Sequence, residues 1–308
     1  MCEINPYPNA RGVEQAIKEA AKKASHEDPS LSVNERIRLE YFNRFLSRVF
    51  SEGDESGWVL KGGTGMLARV PSARATLDID LYRREMRLDS ALEDLRRLVS
   101  VDLGDHFRFQ YTEHSALLVG EDQPYMDGVR VAFNVFIGVR KKGALHVDLT
   151  VGAGVTAEIT RMPPAGALSL PRLVSNEYRL YPVVDQIADK ICATIQKRGE
   201  RSSTREKDLV DLVVLAITQD VDGRALSTAI TEEFRRRQMD SLSKFVVPEN
   251  WGPAYRKQAS RIPSCAKYLT VDKAQELMTK FINPVLSGEV QDTVWSHAEQ
   301  QWKDLYQY

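Results

Sequence analysis

Cysteine is scarce in this sequence, histidine is scattered, and the charge nearly cancels. Cys2, Cys192 and Cys265 are the three cysteines of the 308 residues, odd in number and far apart. They argue against a disulfide scaffold. Together with five dispersed histidines (His26, His106, His114, His146 and His297) they leave no clustered set for a structural zinc. No apolar run approaches the roughly 20 residues of a membrane-spanning helix. The opening MCEINPYPNARGVEQ has no apolar signal-peptide core. The expectation is a cytoplasmic protein with no membrane partner. A net charge of −1 provides no global attraction for nucleic acid. Any such contact must come from local clusters: Arg83-Arg84, Arg87, Arg96-Arg97 or Arg235-Arg236-Arg237. Each of these reads first as solvated surface. Familiar phosphate and nucleophile signatures are missing as well. Lys61 precedes its glycines instead of following them as in a P-loop, and Gly62, Gly63 and Gly65 do not fit G-x-G-x-x-G. There is no G-x-S-x-G elbow.

What is present is an ordinary globular composition, 43% hydrophobic and 28% charged, long enough for one large or two smaller domains. Val13, Ala16, Ile17 and Ala20, then Ile37 to Phe50, repeat at helical spacing, and Ser32 with Glu35 has the spacing of a capping box. Trp58-Val59-Leu60 reads as a strand, Thr64–Val70 as a short helix and Thr76–Tyr82 as a strand. Residues 89–100 read as a helix capped by Asp89. Strands follow at Phe107–Val119, Val129–Ile137 and Leu145–Val151. After Pro163-Pro164 helical patterns dominate: 183–198, started by Pro182, then 205–219, 222–238, 271–283 and a C-terminal segment, 288–306. The predicted class is α+β, with a first domain over 1–160 and a mainly helical second over 161–308.

The chemistry centres on KGGTG, Lys61 to Gly65, followed by Thr76-Leu77-Asp78-Ile79-Asp80-Leu81. Strand alternation places Leu77, Ile79 and Leu81 on one face and Asp78 and Asp80 on the other. In the same way Leu145, Val147, Leu149 and Val151 point inward and Asp148 outward. If the two strands are neighbours, three carboxylates meet, and they repel unless a cation lies among them; hard oxygen donors suit Mg²⁺ or Mn²⁺. A solvated polar sheet face is the simpler account of one Asp-x-Asp strand. The upstream glycines shift the balance, because they let backbone approach a phosphate and the helix that follows offers free N–H groups. An anion site beside a cation site is what a nucleoside triphosphate with a divalent metal requires.

Gly62-Gly63-Thr64 followed by Asp78-x-Asp80 resembles the signature of the DNA polymerase β-like nucleotidyltransferases. Ala188-Asp189-Lys190 and Arg205-Glu206-Lys207-Asp208, in order downstream, narrow the resemblance to the AbiEii/AbiGii toxin family, which includes the MenT toxins. It spans roughly residues 57–215. It implies a nucleotidyltransferase-like mixed sheet flanked by helices, with the helical domain contributing to the active site. It also implies a toxin of a toxin–antitoxin module that adds nucleotides to the 3′ acceptor end of tRNA. Carried over residue by residue, Gly62, Gly63 and Thr64 would hold the triphosphate and Asp78 and Asp80 the metal. Lys190 would contact phosphates and Asp208 would be an essential acid. Asp148 joins the metal set on alternation alone, and Lys61 could reach a phosphate or only cap its strand. Gly65 departs from the family pattern, and Asp211 is as apt to brace Arg205 or Lys207 as to touch substrate. A phosphate on Thr76 or Ser72 beside Asp78 would repel the triphosphate. Phosphoryl transfer to a protein on the same scaffold and a non-catalytic nucleotide-binding module are the rival readings.

Overall fold

Helix α1, Ala10–Glu27, starts at Asn9, whose side chain accepts from the Gly12 N–H at 2.9 Å. Helix α2, Val33–Val49, has the capping box that its sequence announces: Glu35 N–H donates to Ser32, and Ser32 N–H donates to the Glu35 carboxylate at 2.8 Å. The computed structural model describes residues 6–70, 76–116, 127–152, 154–164, 166–196, 205–248 and 251–305. Cys2, Ser72 and residues 197–204 fall outside these, the last being most of the stretch 197–207, whose run of Lys and Arg reads from the sequence as a basic loop beside the site.

Seven strands form the main sheet: β1 Trp58–Lys61, β2 Ile79–Arg84, β3 Phe107–Ala116, β4 Asp127–Ile137, β5 Arg140–Gly152, β6 Thr160–Met162 and β7 Tyr178–Leu180. Their order across the sheet is β3-β4-β5-β2-β1-β7-β6. β2 runs parallel to β5, and β1 parallel to β7; the other neighbours are antiparallel. Strict alternation explains one face. Val131, Phe133, Val147, Leu149, Ile79 and Leu81 are buried under α2 and under α4, Leu88–Val99, which adds Leu92, Leu95 and Leu98. The opposite face carries a small apolar cluster of Val59, Tyr82 and Tyr181, and beside it the charged residues of the site.

Beyond the sheet, α5 (Val183–Ile195), α6 (Glu206–Thr218), α7 (Gly223–Arg236), α8 (Gly252–Ala259) and α9 (Val271–Leu286) build a second core. Helix α6 is its axis, with residues Leu209 to Ala216 all buried. The short α3, Gly62–Arg69, is shared: Met66, Leu67 and Val70 pack in the helical core and Ala68 in the sheet core.

Several elements differ from expectation. The described part of the 288–306 segment, up to residue 305, is not helical; it holds β9, Thr293–Ser296, and β10, Gln301–Asp304, which with β8, Val221–Asp222, make a three-stranded sheet. Trp295 and Trp302 set this outcome. Trp295 is fully buried against Phe281 with ring centroids 4.7 Å apart and donates to the Ala216 carbonyl, and Trp302 donates to that of Phe281. Helix α3 starts at Gly62, so the glycines form its first turn instead of preceding it. Strand β2 starts at Ile79, which leaves Leu77 66% exposed and Asp78 ahead of the strand. Arg87 is the N-cap of α4, and Asp89 lies in the first turn, where its charge still complements the helix dipole.

Candidate active site

Sheet register assembles the site. Lys61 on β1 pairs with Asp80 on β2, Asp80 with Asp148 on β5, and Asp148 with Arg130 on β4. Cross-strand partners point to the same face, so one row reads cation, acid, acid, cation across four strands. The two strands that carry the sequence-predicted acids are adjacent as expected, and Asp80 stands directly opposite Asp148. Strand neighbours lie about 4.8 Å apart, so the two carboxylates are close. The Asp80 carboxyl is pushed up to about 6, chiefly by burial and next by Asp148; Lys61, Lys190 and the Gly63 N–H oppose the shift.

Gly62 has no substitute in this geometry. Its φ is +60°, and a Cβ there would lie 2.0 Å from Asp80 Oδ2. Gly65, which the sequence leaves unexplained, packs under the backbone: a Cβ would stand 3.2 Å from the Leu60 carbonyl oxygen. That same oxygen accepts the Tyr181 N–H at 2.9 Å. Lys61, the N-cap residue of α3, makes no side-chain cap, so the first N–H groups of the helix face the acids without one. Its ammonium lies 5.6 Å from the Tyr82 ring and 5.2 Å from that of Tyr181. Thr64 is buried and turned inward. Its hydroxyl donates to the Asp78 carbonyl at 2.8 Å, as does that of Thr76 at 3.2 Å. These two bonds fix the bend that delivers Asp78.

Asp78 is not a free ligand. Arg130 donates two 2.7 Å hydrogen bonds to Asp148 and reaches within 3.7 Å of Asp78 Oδ2. Among the described residues no three His, Cys, Asp or Glu side chains stand as a ready-made metal cluster. The donor chemistry nevertheless suits a divalent cation. Burial and then the facing Asp148 hold the Asp80 carboxyl up, a guanidinium already neutralises Asp148, and all the donors are hard oxygens. Asp78, Asp80 and Asp148 would hold the ion.

Helix α5 adjoins the glycine turn. Gln186 donates to the Gly62 carbonyl at 3.3 Å. Lys190, buried, donates to Asp208 at 3.1 Å and to Asp211 at 2.6 Å, both on α6. Asp211 therefore holds Lys190; it is Asp208 that Arg205 approaches, at 3.7 Å.

Two residues escaped the sequence reading. Arg130 alternates with the inward Val129 and Val131, and pairing β4 with β5 in register would have revealed it. Arg237, read as solvated surface within an arginine run, is buried; it donates to Asp189, to Glu233 at 2.6 Å and to Gln196 at 3.0 Å. Arg235 and Arg236 pair with Glu232. Most of the other basic clusters also have partners: Arg97 pairs with Glu52 and Asp94, Arg83 approaches Asp94, and Arg96 stacks on Tyr111 at 4.5 Å.

A glycine-started helix facing paired carboxylates, with cations on both sides, is the apparatus of a phosphate-transferring enzyme. The profile of the nucleotidyl transferase AbiEii toxin family, of type IV toxin–antitoxin systems, matches residues 44–280, and the chain belongs to that family. It is a nucleotidyltransferase of the toxin type. Solved structures similar to it include these two. JHP933 from Helicobacter pylori is 14% identical with a TM-score of 0.41, over 82% of this chain and 94% of its own. MenT4, a nucleotidyltransferase toxin from Mycobacterium tuberculosis, is 14% identical with a TM-score of 0.47, over 88% and 98%. No curated protein sequence matches the chain. No helix among the described residues is long and apolar enough to cross a membrane.

Proposed function

We propose that this nucleotidyltransferase is a cytoplasmic toxin that moves a nucleoside monophosphate from a triphosphate to the 3′ acceptor end of tRNA, blocking aminoacylation and so translation, and that a cognate antitoxin restrains it. The observation that carries the chemistry is the row Lys61, Asp80, Asp148 beneath the Gly62-Gly63 start of α3. The tRNA substrate and the antitoxin rest on the resemblance to the MenT toxins.

In the reaction the acceptor hydroxyl oxygen bonds to the α-phosphorus while the bond from that phosphorus to its bridging oxygen breaks, and pyrophosphate leaves. A divalent cation, when bound, would promote loss of the hydroxyl proton and neutralise the departing charge. The α3 N–H groups and Lys61 receive phosphate oxygens. Gly62 keeps the backbone close enough for Asp80 to face the same phosphate, and Gln186 holds the Gly62 carbonyl in place. The Lys190–Asp208–Asp211 group braces α5 against α6; Lys190 also adds positive potential at Asp80.

The test is incubation with α-labelled triphosphates and total tRNA. The label should enter tRNA with wild type and be lost with Asp80→Ala; transfer that survives Asp80→Ala would overturn the assignment. Retention of γ-label instead would indicate phosphoryl transfer.

A further inference from the structure

Arg130 makes the shortest contacts in the acidic row, and the reaction as described gives it no task. It stands opposite Asp148 in register, its Nε and Nη2 take one oxygen each at 2.7 Å, and Nη2 also approaches Asp78. It therefore satisfies one of the acids that a metal would need completely and leans on a second. Its own side chain is 46% exposed and that of Asp148 19%, so water can replace either partner.

We propose that Arg130 is a latch on the metal site. In the nucleotide-free protein its guanidinium is the counter-cation of Asp148 and Asp78, and a divalent cation binds only by displacing it. This rests on the reading of the three acids as metal ligands. A bidentate fork takes one lone pair on each oxygen and sets a positive charge beside both, so the ion and the guanidinium compete for the same carboxylate through charge repulsion and space. Once released, the guanidinium remains beside the site as an unpaired, half-exposed cation, and an incoming triphosphate supplies the anion that it lost. Metal and nucleotide binding are then coupled in both directions, because each relieves a cost that the other would meet alone. Arg130 is a positioning residue here: it acts through Asp148 and Asp78, and it sets the order in which the site fills.

The test is a Mn²⁺ titration of the full chain, followed by the electron paramagnetic resonance of the free ion, with and without an α,β-methylene ATP analogue. Without nucleotide, Arg130→Met should bind Mn²⁺ about tenfold more tightly than wild type, the scale of a half-exposed charge-assisted pair. Arg130→Lys, which keeps the charge and loses the fork, should fall between. The analogue should tighten Mn²⁺ binding to wild type more than to Arg130→Met. A merely structural arginine would give the opposite sign, since its loss would loosen the site. Equal or weaker Mn²⁺ binding by a folded Arg130→Met, or by Arg130→Lys should the methionine variant not fold, overturns the latch. So does the absence of Mn²⁺ binding in every variant, which also removes the metal set. Tighter binding by Arg130→Met with no α-label transfer to tRNA leaves the latch standing and removes the substrate.

Discussion

Two arginine–aspartate pairs in this protein share one chemistry and differ in surroundings. Arg48 holds Asp105 with hydrogen bonds of 3.0 and 2.6 Å, and the two side chains are 1% and 0% exposed. Arg48 also donates to the carbonyls of Arg44 and Phe107, and Asp105 accepts the Phe107 N–H. Arg130 holds Asp148 just as closely, yet at the open side of the sheet. Removing one partner from the first pair strands a charge where water cannot reach; the second can be exchanged for water or another ion. The same fork is a rivet in one place and a replaceable contact in the other, and burial with its added backbone hydrogen bonds sets the difference.

The comparison breaks if the two arginines respond alike to removal. Arg48→Met is expected to cost about 4 kcal/mol, because Asp105 stays behind uncompensated; urea denaturation measures it. Lys190→Met should cost about 3 kcal/mol for the same reason, since Asp208 and Asp211 are both buried. If instead its stability is unchanged and only transfer is lost, Lys190 serves substrate and not the α5–α6 joint. Gly62→Ala should cost about 1–2 kcal/mol from its left-handed φ. The displacement of Asp80 should lower transfer about a hundredfold, a split that labelled-nucleotide assays and thermal melting resolve together. Arg130→Met sits at the small end: under about 1 kcal/mol of stability, with its effect visible in metal affinity. A destabilisation equal to that of Arg48→Met would erase the contrast.

Much of this could be read directly. Helical spacing located α1 and α2, and alternation located β4 and β5, because each pattern buries one face whatever lies opposite. Alternation also placed Asp148 on the outward side, and the guess that its strand neighbours Asp80 holds in register. Asp78 was harder. Thr76, two residues back, and Thr64, from α3, end the extended run early by binding its carbonyl, and the second contact comes from another element. The 288–306 segment misled because its tryptophans are spaced for a helix face but are captured by Phe281 and α6. Arg237 reads as solvated surface in a basic run, since nothing local says that one arginine of three turns into the core.

By itself, then, the sequence determined the types of most elements, the glycine-and-aspartate chemistry and the membership in a nucleotidyltransferase lineage. These rest on periodicity and short motifs, which are local. Only the tertiary structure decided which charge faces which: Arg130 on Asp148, Lys190 between Asp208 and Asp211, Arg237 on Asp189 and Glu233. Electrostatic partners depend on strand order, register and burial, and a chain segment carries none of these until its neighbours, up to 48 residues away in these pairs, have folded against it.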